Sequence, residues 1–171
     1  MQRAADAFRR WLNVPKTKEI VFSVPGWLSV KLEPNEAEQR AAWSLYVEIS
    51  TRIASQPFDR NTGKMRDVLT SLYSLFEFTR QILRDGGPSV AHGPASFGPV
   101  AIRFLTEVLA PFTTRWHEPL LMHEELCPDG RGKFEHERLW DRFDEMVADL
   151  GALQTKITAY VAALGELSGV R

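Results

Sequence analysis

The chain has 171 residues, 44% of them hydrophobic and 25% charged, which are the values of one globular domain and exclude a disordered segment. Its 21 basic and 22 acidic groups leave a net charge of −1, so no overall basic field draws it to DNA or to an anionic surface. Cys127 is the single cysteine, which excludes an internal disulfide and points to a reducing compartment. With no signal-peptide pattern in "MQRAADAFRRWLNVPK" and no apolar run of membrane-spanning length, the expectation is a cytoplasmic protein without a membrane span.

In chain order, "RAADAFRRWL" sets Ala4, Phe8, Trp11 and Leu12 on one side of a short helix and Arg9 and Arg10 on the other. Next, "EIVFSV" and "WLSVKLE" flank Pro25-Gly26, a turn signal between alternating segments, and predict a small β-hairpin or an extended arm. Residues 1–33 therefore read as an N-terminal helix and arm packing on a helical body that fills residues 34–171. After Pro34-Asn35, the positions Ala42, Tyr46, Ile49 and Ile53 recur at helical spacing. Met65, Leu69, Leu72, Phe76 and Leu83 form a second stripe that Gly86-Gly87 should end. A third stripe, Ala101, Leu105, Val108, Phe112 and Trp116, is interrupted by Pro111, which predicts a kink or break near Glu107 to Pro111. The last runs from about Phe134 to Leu167, with Leu139, Met146, Leu153, Tyr160 and Leu167 as a second apolar row beside the first. Four long amphipathic helices predict an all-α, antiparallel four-helix bundle.

"GGPSVAHGPASFGP", residues 86–99, joins the second and third stripes. A phosphate cradle needs converging backbone N–H groups, and Pro88, Pro94 and Pro99 each remove one, so this is not a P-loop. Ser96 is placed to cap the third helix, whose start then offers an anion site. His92 sits mid-loop, facing water or a partner.

In "WHEPLLMHEELC", His123 and Cys127 stand four residues apart, and His136 follows Cys127 by nine. Two imidazoles and a thiol are donors that zinc prefers, so zinc is the one cofactor in view, under an alternative reading; the principal reading carries none. The chain length and helix count invite comparison with DinB-like metal-binding bundles, but no histidine follows His136 to supply their final pair. "RGKFEH" resembles the Arg-x4-His spacing of HEPN-type ribonucleases, which are small helical bundles. That resemblance implies RNA as substrate, His136 in acid/base work and Arg131 stabilising phosphate charge, with Gly132 standing where the family usually carries Asn or Asp.

Five Trp and ten Phe exceed what one small core requires, and large aromatics also anchor interfaces. The principal expectation is a non-enzymatic protein-interaction or oligomerisation module, an adaptor or subunit of a larger assembly. Trp27, Trp43, Trp116, Leu153, Tyr160 and Leu167 are its expected interface residues, binding a protein partner or a second copy.

Overall fold

The computed structural model describes residues 19–170; the helix expected around Phe8 and Trp11 lies outside them. The described chain is mostly helical, with one two-stranded antiparallel sheet.

Strands β1 (Ile20–Val24) and β2 (Leu28–Leu32) pair in register from Ile20↔Leu32 to Val24↔Leu28. Pro25 and Gly26 hold the central positions of the turn, where Gly26 takes a φ of 71° and the Trp27 N–H bonds the Val24 carbonyl at 3.1 Å. This is the role a Pro-Gly pair fills without strain. Alternation turns Phe22, Val24 and Leu32 inward, where all three are buried.

Helix α1 (Glu36–Ser50) begins with a closed capping box. Asn35 Oδ1 accepts the Glu38 N–H at 3.0 Å, and Glu38 Oε2 accepts the Asn35 N–H at 2.9 Å, which satisfies two donors that a helix start leaves open. Helix α2 (Met65–Gly86) ends as expected, with Gly87 at a φ of 58°. A tight turn over Gly87–Val90 and an irregular stretch lead to α3 (Phe97–Arg103).

The break expected near Pro111 is replaced by a local widening. Helix α3 passes through a π-helical turn, Phe104–Leu109, into α4 (Ala110–Glu125), and the run is continuous. Pro111 has no N–H for the Glu107 carbonyl, and just before it the Ala110 N–H reaches the Leu105 carbonyl, five residues back. The extra residue absorbs the proline within the helix.

The single long helix expected from Phe134 to Leu167 is instead two: α5 (Lys133–Arg138) and α6 (Phe143–Leu167). Between them, Trp140 bonds back to Glu137 and Phe143 to Trp140 through tight-turn hydrogen bonds of 3.2 and 3.0 Å. The bend buries Glu137 and Trp140 together and leaves Leu139, expected on the apolar row, 61% exposed.

Helix α6 packs against α1 and carries β1; α1 also packs on α2, and α4 touches α2, α5 and α6. The hairpin closes over an aromatic centre. Phe104 and Tyr160 stack at 3.7 Å, Phe22 meets Tyr160 edge-on at 5.4 Å, and Trp27 tilts against both Phe104 and Tyr160. Each fully buried large side chain contributes about 1.5–3 kcal/mol over an exposed one.

Candidate functional site

The chemistry-bearing residues of the sequence gather where α4 meets α5. Their rings stack face to face: His123 and His136 lie 4.0 Å apart and 3° from parallel, with Trp140 stacked on His123 at 5.4 Å. His123 Nε2 is 2.9 Å from the His136 carbonyl, and His136 Nε2 is 2.7 Å from the His123 carbonyl. Carbonyls only accept, so both Nε2 atoms carry the proton and each ring donates to the other's backbone. Metal coordination through Nε2 would break both bonds, and the remaining lone pair of His136, on Nδ1, is buried without a partner.

Cys127 is half-buried, and its Sγ faces the carbonyls of Arg131 at 3.6 Å and Pro128 at 3.9 Å. The thiol closes the turn that follows α4. Among the described residues, no three His, Cys, Asp or Glu side chains converge as a metal site. Of the zinc candidates His123, Cys127 and His136, the two imidazoles bond across α4 and α5 while the thiol faces the turn between those helices. Of the ribonuclease pair, Arg131 is exposed and His136 is buried with its Nε2 bonded to the His123 carbonyl.

Two glutamates that the sequence did not single out organise the surroundings. Glu137, 4% exposed, accepts the Met65 N–H with both carboxylate oxygens, at 3.0 and 3.1 Å. It caps α2 from α5, where Lys64 offers no side-chain cap. Arg138 bonds Glu137 at 3.1 Å and the Gly63 carbonyl, with its guanidinium over Phe134 and Phe143 at 4.3 and 4.5 Å. Glu38 is the second: besides closing its own capping box, its Oε1 accepts the Phe97 N–H at 2.9 Å.

That last bond answers the question of the Gly86–Pro99 loop. The start of α3 does receive an anion, and the anion is the chain's own Glu38 carboxylate, favoured there by the helix dipole. Ser96 stands at the cap position but donates to the Gly93 carbonyl at 2.6 Å. His92 is exposed, its Nδ1 donating to the Pro88 carbonyl at 3.2 Å, and Asn35 ties the loop to α1 through the Ser89 carbonyl at 2.8 Å.

Of the six expected interface residues, four belong to the core. Trp116 and Tyr160 are fully buried, Leu167 is 1% exposed and Leu153 5%. The width of the apolar face of α6 serves α1, the hairpin and the α3–α4 run at once. Trp27 is half-buried, its indole N–H donating to Glu107 Oε2 at 2.8 Å. Hydrogen bonds from Arg103 first, and then from Trp27, hold the Glu107 carboxyl below the usual carboxylate range.

Trp43 alone is exposed, at 45%, and it stacks on Tyr46 at 5.6 Å and 17°. Tyr46 also forms one wall of a groove of about 320 Å³ between α1 and α6. Ser50 and Gln56 continue that wall; Ile157, Val161 and Ala162 form the other, and no lining side chain is charged. The Ser50 hydroxyl is buried there without a hydrogen-bond partner. Among the described residues no helix is long and apolar enough to cross a membrane. The chain matches no family model, and no curated protein or solved structure matches it.

Proposed function

We propose that the protein is a non-enzymatic helical oligomerisation module, a subunit of a larger cytoplasmic assembly, that pairs with a second copy of itself across the α1–α6 groove. In this reading α1, α2, α4 and α6 act as an antiparallel four-helix bundle that presents one face. The supporting observation is the exposed Trp43–Tyr46 stack beside a groove with no charged lining. Interface centres are depleted of charge and enriched in Trp and Tyr. An exposed knob and an uncharged hollow on the same face are self-complementary under two-fold symmetry, with each copy's Trp43 entering the other's groove. The His123 and His136 imidazoles and the buried Glu38 and Glu137 carboxylates, groups on which a catalytic reading would draw, are committed to holding helices together.

Light scattering over a wide range of protein concentration tests this. The expected result is a dimer that Trp43→Glu converts to monomer, weakening association by about 30-fold or more, as loss of an aromatic hot spot does. Trp43 is solvent-exposed in the single chain, so helical circular dichroism should not change. A wild-type protein that stays monomeric at the highest concentration overturns the proposal.

A further inference from the structure

A second hollow lies beside the π-helical turn and shares no residue with the α1–α6 groove. It measures about 200 Å³, and a cavity of about 150 Å³ is enough to hold benzene. One wall is Val108, Pro111 and Phe112, which the π turn and its proline set along one side of the helix; Ala152 and Leu153 of α6 form the other. Val108, Phe112 and Leu153 are nearly buried, so the floor is hydrocarbon.

The rim carries charge, and its partners can be assigned. Asp149 takes Arg115 Nη1 at 2.7 Å and the Trp116 indole N–H at 3.0 Å, while Glu145 takes the other Arg115 amine. Arg115 is therefore matched twice. Lys156 also lines the hollow, and among the described residues it makes no hydrogen bond or ion pair. One unmatched ammonium above an apolar floor is complementary to an anion with a single charge and an apolar body.

We infer that this hollow binds a small monocarboxylic acid with an apolar body about the size of a phenyl ring. The body rests on Phe112 and Leu153, and the carboxylate accepts from Lys156 Nζ. Charge-assisted hydrogen bonds are the stronger kind, and here the carboxylate meets an amine that has no partner among the described residues. The inference is independent of self-association.

The test is a titration of the full chain with benzoate and, separately, with benzyl alcohol, read from the backbone amide NMR shifts of Val108, Ala152 and Leu153. Benzoate should saturate with a Kd of about a millimolar, as expected of so small a ligand, and bind at least about tenfold tighter than benzyl alcohol. Lys156→Gln should remove most of that preference. Ala152→Trp, at an exposed position, should fill the hollow and abolish binding with helical circular dichroism retained. The inference is overturned by the absence of a saturable shift, by equal affinity for benzyl alcohol, or by an unchanged preference in Lys156→Gln.

Discussion

Near the π turn, side chains meet as hydrocarbon: Phe104, Tyr160, Phe22 and Trp27 pack ring against ring. Where the same helical run ends, they meet through directed bonds: His123 to His136, Glu137 to Met65, Arg138 to Gly63. The first region is held by area removed from water, which tolerates small adjustments of angle. The second is held by geometry, where losing one partner strands the other in a buried place. The contrast explains why a chain with four histidines and a cysteine can look catalytic in sequence while two of its imidazoles, those of His123 and His136, serve as fasteners.

The largest effect should come from truncating the aromatic centre. Phe104→Ala removes the ring stacked on Tyr160, with an expected loss of about 4 kcal/mol in urea unfolding. A loss below about 1 kcal/mol would mean that the centre collapses around the gap. Next in size is Glu137→Ala, which uncaps α2 and leaves Arg138 unmatched, at an expected cost of about 3 kcal/mol. The corner behaves as a hydrogen-bonded unit only if that loss is not additive with the loss from Arg138→Met in a double-mutant cycle.

The smallest expected effect sharpens the comparison from the apolar side. The Tyr160 hydroxyl is buried in the aromatic centre without a hydrogen-bond partner, so Tyr160→Phe should stabilise the fold by about 1 kcal/mol. Burial pushes the Tyr160 phenol up from its ordinary value of 10.0. A group raised in the folded state contributes stability that is complete below its unfolded pKa and is lost as pH rises beyond it. Wild-type thermal stability should therefore fall above pH 10.0 more steeply than that of Tyr160→Phe. Parallel alkaline curves would show that Tyr160 ionises in the folded protein.

Local signals were legible in the sequence. Pro25-Gly26 gives the hairpin, Asn35 starts α1, Gly86-Gly87 stops α2 and Ser96 marks the start of α3. Each depends on residues within a turn of one another. The division of the last helix was not legible, because Glu137 owes its place to a backbone N–H 72 residues away, and periodicity carries no record of so distant a partner. Apolar stripes identified Tyr160, Leu153 and Leu167 as facing something, but a stripe does not distinguish the chain's own hairpin from another molecule. Asn35 marked where α1 begins, but that Glu38 closes the capping box there and also caps α3 needed the fold.

The π turn gives these two regions a common origin in phase. An added residue rotates everything beyond it by about 100° about the helix axis. Phe104 enters that turn facing Tyr160, and Trp116, past it, lies edge-on to Trp140. One uninterrupted rod is thus keyed to two different locks, and the extra residue sets the angle between them.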